Sequence, residues 1–389
     1  MGFRRAASRH RHASAIITMV AAMSLVLAGC ADFSDQDRSA NAGTFTSNPD
    51  VGGQLPPTQP TLPDQSEENG PPPTGPCVDP NPQVISTCLE STGGIHPAND
   101  QGSSVLVAER TTGKIFVSKR YSQRVIASVA VDGSGDGGLI DFALSPNYMQ
   151  DQLIYALITT PSDNRVVRIA PGDAPKPVLT GIPKGATGNM GSLMLKSATE
   201  LWVATGNGGS GSAASTPSSL AGKVLSINPL APGTPKVIAS GFGANVALCP
   251  DPTTGHVYVA DSGGPDGSRL SEIQDGSPQN GKGIDLLWTW ADRPVLGGCA
   301  ISDGKAFVTV PAGKRIDGLV LPSRQSPSVG APVQVPSNEF GASGRMTTTN
   351  SGSTMQVATI NKSSAGAKPV ATDDRVYIFF ASSSLDTRS

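Results

Sequence analysis

Between Gly188 and Pro229 the chain alternates short apolar runs with polar turns: Gly191-Ser-Leu-Met-Leu, Leu201-Trp-Val-Ala-Thr, a Gly/Ser loop, then Lys223-Val-Leu-Ser-Ile. Apolar runs this short, bounded by glycine and polar residues, predict strands and turns. Three or four strands within about forty positions form one antiparallel sheet. Such a sheet is too small to bury its own faces and needs neighbours of the same kind.

The pattern recurs at Lys114-Ile-Phe-Val, Gln152-Leu-Ile-Tyr-Ala-Leu, Leu201-Trp-Val-Ala-Thr, His256-Val-Tyr-Val-Ala, Ala306-Phe-Val-Thr-Val and Arg375-Val-Tyr-Ile-Phe-Phe. Six such units over residues 77–389 predict an all-β protein, a six-bladed β-propeller. A second recurring piece opens on glycine and alternates small with apolar residues, as in Gly138-Leu-Ile-Asp-Phe-Ala-Leu and Gly243-Ala-Asn-Val-Ala-Leu. These pieces predict the inner strands around the central channel, where close approach favours small residues. The sixth unit, from about Pro322 to Ser389, is the least regular.

Upstream of the repeats the pattern changes twice. Arg4, Arg5, Arg9 and Arg11 precede an apolar run from Ala13 to Leu27, which predicts a secretory signal over residues 1–29 and is too short for a comfortable membrane span. The run ends in Leu27-Ala28-Gly29-Cys30, a match to the bacterial lipobox. Small residues there admit the peptidase, and the Cys30 thiol accepts diacylglycerol, so the expected location is the outer face of the cell membrane, with a lipid anchor. Arg4-Arg5 alone does not decide between the general and the twin-arginine export routes. Residues 30–76 are rich in Pro, Gly, Ser and Thr with hardly an aliphatic side chain, and predict an extended tether.

With 45 Gly, 33 Pro, 15% charged residues and a net charge of -2, the chain reads as a loop-rich soluble β protein with no basic excess for nucleic acid. Cys77, Cys88, Cys249 and Cys299 are even in number in an exported chain, which predicts disulfides, Cys77 with Cys88 and Cys249 with Cys299. Their spacing is not that of zinc ligands. Gly206-Asn-Gly-Gly-Ser-Gly211 satisfies a dinucleotide fingerprint on paper, yet a Ser/Ala/Pro loop follows where that site needs a helix.

Asp136-Gly-Gly-Leu-Ile-Asp-Phe-Ala-Leu-Ser-Pro, Asn164-Arg-Val-Val-Arg-Ile, Leu220-Ala-Gly-Lys-Val-Leu-Ser-Ile-Asn-Pro and Val257-Tyr-Val-Ala-Asp resemble the blade motifs of the soluble quinoprotein glucose/sorbosone dehydrogenase family. The resemblance covers most of Val105 to Pro294. It implies a propeller that oxidises a sugar with pyrroloquinoline quinone (PQQ), using a histidine as general base and cationic groups on the quinone carboxylates.

The chain departs from that pattern where the chemistry lies. The family's His-Asn-Gly-Gly-Arg-Leu corresponds to Gly188-Asn189-Met190-Gly191-Ser192-Leu193, and its Gly-Leu-Arg-Asn-Pro to Gly241-Phe242-Gly243-Ala244-Asn245. Base, arginine and quinone contacts are all replaced. His96, in a Gly/Pro loop, and His256, at a turn, are the histidines beyond the signal, and both read as bland positions. The family's calcium stretch is partly kept, leaving Asp261, Asp266 and Glu272 as candidate oxygen ligands. Of Trp288 and Trp290, one is expected between blades and the other at a channel mouth, where an aromatic face suits a sugar ring. The candidate pocket is thus Gly188, Asn189, Ser192, Gly243, Asn245 and Trp290, with no catalytic residue assigned.

Two readings follow. In one the chain is a non-catalytic, membrane-tethered propeller that binds an envelope ligand or protein, a carbohydrate among the candidates, with no cofactor. In the other it is a PQQ- and calcium-dependent aldose dehydrogenase whose catalytic groups have moved.

Overall fold

The computed structural model describes residues 73–273, 283–324, 328–337 and 339–380. Cys30, the signal and most of the tether lie outside them.

The first strand, β1 (Val84–Ser86), is followed by blade one, with β2 (Thr92–Pro97), β3 (Ser104–Glu109), β4 (Lys114–Lys119) and β5 (Ser122–Ser128). Blade two holds β6 (Leu139–Leu144), β7 (Ile154–Thr159), β8 (Asn164–Ile169) and β9 (Lys176–Ile182). In blade three are β10 (Ser192–Ser197), β11 (Glu200–Ala204), β12 (Lys223–Ile227) and β13 (Lys236–Ser240). Blade four holds β14 (Asn245–Pro250), β15 (Val257–Gly264), β16 (Gly267–Ile273) and β17 (Ile284–Trp290). Blade five has β18 (Cys299–Ser302), β19 (Lys305–Val310), β20 (Arg315–Val320) and β21 (Val333–Pro336), and blade six has β22 (Ser343–Thr348), β23 (Met355–Thr359) and β24 (Val376–Phe379). Each forms an antiparallel four-stranded sheet, and β1 supplies the fourth strand of blade six by pairing with β24. The ring is therefore closed by the residues that enter it first.

The core lies between blades. Along β11, Leu201 and Val203 pack against blade two, whereas Trp202 and Ala204 pack against blade four. Period-two alternation thus buries both faces of one strand, which is why these strands read as continuous apolar runs. All six junctions carry such a cluster.

The repeat alignment holds for the four middle blades and slips at both ends. Gln152 to Leu157, Leu201 to Thr205, His256 to Ala260 and Ala306 to Val310 lead into or form the second strand of their blades, but Lys114 to Val117 and Arg375 to Phe380 fall on third strands. The true counterparts are β3 and β23. Blade six also begins later than Pro322, because β21 completes blade five. The missing strand is β1, far away in sequence and beyond the reach of a local repeat count.

Both predicted disulfides are present. Cys249–Cys299 (Cα–Cα 5.7 Å) links the inner strands β14 and β18, and Cys77–Cys88 (Cα–Cα 5.6 Å) closes the loop containing β1.

Candidate functional site

The ring has two unlike faces. On one, connections from each blade's outermost strand arrive at the next inner strand; on the other lie the hairpins that follow the inner strands.

Gly188, Asn189 and Gly243 are on the first face. The Gly188 N–H donates to Asp136 Oδ2 (2.6 Å), and Asn189 Nδ2 donates to Asp136 Oδ1 (2.6 Å) and to the Gly185 carbonyl (2.9 Å). Gly188 has φ +82, and a Cβ there would run into Gly209 N and Asn207 Oδ1. The loop after β11 presses onto this turn: Gly208 N donates to the Gly188 carbonyl (2.8 Å), and Asn207 N to the Gly243 carbonyl (2.9 Å). At Gly243 a side chain would meet the backbone of Ser262 and Gly264. A histidine at the first position or an arginine at the second has no room, so glycine is a packing requirement of this loop arrangement.

The nearby cations are engaged internally. Lys184 pairs with Asp132. Arg110 donates to the carbonyls of Gly135 and Gly137. Lys223 is buried, its ammonium donating to the carbonyls of Ala214 (2.5 Å) and Ala221 (3.1 Å). Burial pushes the pKa of Arg110 and of Lys223 down.

The three carboxylates of the expected calcium site do not converge. Arg269 Nε donates to Asp261 Oδ1 (2.7 Å) and its Nη1 to Asp266 Oδ2 (2.8 Å), so the guanidinium occupies the place and supplies the charge of a cation. Glu272 lies three residues further along β16 and instead meets His256 Nδ1 at 2.6 Å. Among the described residues no group of three or more His, Cys, Asp or Glu side chains is arranged to hold a metal. Burial pushes the Asp261 carboxyl above its ordinary value, against the pull of Arg269.

Trp290 is not at a channel mouth. It ends the outermost strand β17, is 4% exposed, and donates from Nε1 to Asp317 Oδ2 (2.8 Å) at the junction of blades four and five. A sugar platform there is ruled out by burial. Ser192 and Asn245 stand at the starts of β10 and β14. Ser192 Oγ accepts from Leu248 N (3.2 Å), and Asn245 Nδ2 donates to the Leu296 carbonyl (2.5 Å).

Of the candidate pocket residues, Ser192 alone lines the cavity of the channel. About 170 Å³ in volume, it is bounded by all six inner strands and reaches the hairpin-face residues Pro146, Pro252 and Asn350. Its wall includes Leu144, Met194, Leu248 and Met346; His96, Asp141 and Arg345 bring in polar groups. His96 is thus on the channel-lining strand β2 and not in a loop. Its Nε2 lies 3.2 Å from Asp141 Oδ1, and its ring meets Phe142 edge-on at 4.8 Å. Asp141 also accepts from the N–H groups of Phe142 (2.9 Å) and Leu193 (2.8 Å). From β22, Arg345 crosses the channel, donating to the carbonyls of Gly191 (2.7 Å) and Val246 (3.3 Å). Burial pushes its pKa down, with Asp141 opposing through space. Sequence reasoning missed this trio. The available signals were a carboxylate inside the apolar run Leu-Ile-Asp-Phe-Ala-Leu and the glycines around His96, since a Cβ at Gly94 would strike Asp141.

Residues 89–278 match the family model described as Glucose / Sorbosone dehydrogenase. No curated protein sequence matches the chain significantly. Among solved structures, the PQQ-bound aldose sugar dehydrogenase of Streptomyces coelicolor superposes with TM-score 0.65 at 26% identity, covering 76% of this chain and 96% of its own. An oxidoreductase of Thermus thermophilus described as a glucose dehydrogenase gives 0.63 at 25%, with 76% and 98% covered. The apo aldose sugar dehydrogenase of Escherichia coli, at 14% identity and TM-score 0.60 over 76% of this chain and 98% of its own, shares the fold. The chain is a six-bladed propeller whose residues 89–278 match the glucose/sorbosone dehydrogenase model and whose fold is similar to that of solved sugar dehydrogenases.

Proposed function

We propose that this chain is a ligand-binding propeller of the cell envelope, held to the membrane by lipid on Cys30, that does not carry out quinone-dependent sugar oxidation. The observation that carries the reading is the packing of Asn207 to Gly209 onto Gly188 and Gly243. A side chain at Gly188 would meet Gly209 N and Asn207 Oδ1, and one at Gly243 would meet the β15 backbone of Ser262 and Gly264, so the places where the family's base and arginine would stand are already filled. PQQ is a multiply charged carboxylate, and Arg110, Lys184, Lys223 and Arg269 on this face are engaged with internal partners. These residues do not fit the quinone, and Arg269 between Asp261 and Asp266 does not fit calcium.

The test is to supply the full-length protein with Ca²⁺, PQQ and glucose or another aldose and follow dye reduction. Rates at background support the reading; reduction that scales with added quinone overturns it. The anchor has its own test, because Cys30→Ala should leave the signal uncleaved or move the protein out of membrane fractions.

A second reading, an aldose dehydrogenase with relocated groups, has the His96–Asp141 contact in its favour. It predicts quinone-dependent turnover that His96→Ala abolishes.

A further inference from the structure

Arg345 is 6% exposed, and its Nε is buried with no hydrogen-bond partner. Its other two nitrogens bind carbonyl oxygens, which carry no countercharge. Asp141 already accepts from His96, Phe142 and Leu193, and meets Arg345 through space without a direct ion pair. A buried guanidinium is costly unless an anion meets it. This one bounds a pocket with a predominantly aliphatic wall that reaches the hairpin face, away from the loops packed over Gly188 and Gly243. An anion brought there must therefore carry an apolar body.

We propose that the channel pocket binds a small monocarboxylic acid, its carboxylate against Arg345 and its hydrocarbon body along Met194, Leu248 and Met346. The proposal rests on the ligand-binding reading and names the ligand class. A carboxylate on the cavity side of the guanidinium supplies a countercharge in direct contact, which the Gly191 and Val246 carbonyls do not, and its hydrogen bonds are charge-assisted. The body displaces poorly bonded water from an apolar wall, as in other largely preformed pockets. At about 170 Å³ the cavity suits a chain of six to eight carbons or a single aromatic ring.

The experiment is calorimetric titration of the full-length protein in detergent with hexanoate, and with hexan-1-ol as a neutral comparator of the same length. Saturable one-to-one binding of hexanoate is expected, with hexan-1-ol weaker by about tenfold or more, since a charge-assisted hydrogen bond is lost. Leu248→Trp, which fills the wall while leaving Arg345 in place, should abolish binding with the melting transition retained. Arg345→Lys should weaken hexanoate and leave hexan-1-ol unchanged. Absence of hexanoate binding at millimolar concentration, equal binding of the alcohol, or binding that survives Leu248→Trp overturns the proposal. Failure here with dye reduction at background leaves the non-catalytic reading intact. Quinone-dependent dye reduction overturns that reading, while the hexanoate titration still decides the pocket.

Discussion

Arg345 of blade six reaches across the channel to the carbonyl of Gly191, just ahead of the inner strand of blade three, with Nη2···O at 2.7 Å. The contact joins opposite sides of the ring. It lets a propeller with small inner-strand residues bring a charged group onto its axis, and it leaves room below for a cavity. The face bearing the loops is packed by Asn207 to Gly209, whereas the hairpin face leads to the cavity. The cavity reaches the hairpin face, whereas the positions matching the family's motifs lie on the loop face, and a shared fold alone does not fix function.

Arg269 offers a direct test of the cation-mimic arrangement. Asp261 is 1% exposed and depends on this guanidinium for its countercharge. Arg269→Ala should destabilise the domain by about 3 to 5 kcal/mol, the range for stripping one partner from a buried ion pair. Denaturant unfolding checks it, and Asp261→Asn in the same background should recover part of the loss. Unchanged stability on Arg269→Ala would show that the pair is not the clamp described.

Asp374 sets a pH dependence. It lies wholly buried beside Asp373, its Oδ2 has no hydrogen-bond partner, and burial raises its pKa to about 7, against backbone hydrogen bonds that lower it. Its neutral form is favoured in the fold, so its contribution is full below the ordinary carboxylate pKa of 3.8 and is lost as pH rises through about 7. Asp79 and Asp163 are shifted down and act in the opposite sense, at lower pH. Between these limits the wild type should lose stability relative to Asp374→Asn, with a difference that flattens above about pH 7. Unfolding midpoints of both proteins across that range supply the comparison, and parallel curves would refute the assignment.

Sequence alone carried the blade number, the disulfide partners and the inner strands opening at Gly138 and Gly243, because each leaves a local trace in alternation, cysteine parity or small residues. The fourth strand of blade six left none, since β1 and β24 are paired across nearly the whole propeller. The candidate site was harder. Aspartates near a family motif suggest calcium until Arg269, which the motif ignores, is seen between them. Trp290 has the composition of a sugar platform but the burial of a core residue. His96 looks like a loop residue because Gly93, Gly94 and Pro97 surround it, although those small residues are what allow β2 to line the channel.

The Cys249–Cys299 bond should contribute measurably to the seam it crosses. It links inner strands of neighbouring blades across a sequence separation of 50 residues. Disulfides typically contribute about 2 to 4 kcal/mol through the unfolded chain and native packing together. Replacing both cysteines with Ala should lower the unfolding midpoint without changing blade number by scattering. Non-reducing peptide mapping of the wild type should recover this pair and Cys77–Cys88. Free thiols in the folded protein would contradict the junction.

Restoring the family's residues on the loop face should not restore its chemistry. Gly188 has φ +82, a conformation that costs an ordinary L-residue about 1 to 2 kcal/mol. A histidine there must also displace Gly209 and Asn207, whose side chain is hydrogen-bonded to Gly209 N (2.9 Å). At Gly243 an arginine meets backbone from β15, which cannot rotate aside as a side chain does. Gly188→His with Gly243→Arg is therefore expected to melt at lower temperature than the wild type and to remain at background in PQQ-dependent dye reduction with aldoses. A general base in its proper place is worth about 10² to 10⁴ in rate, so even partial recovery of the site would be visible against that background. Dye reduction that appears in the double variant and rises with added quinone would mean that Asn207 to Gly209 yield to the new side chains, and that the loop face remains a latent sugar-oxidising site.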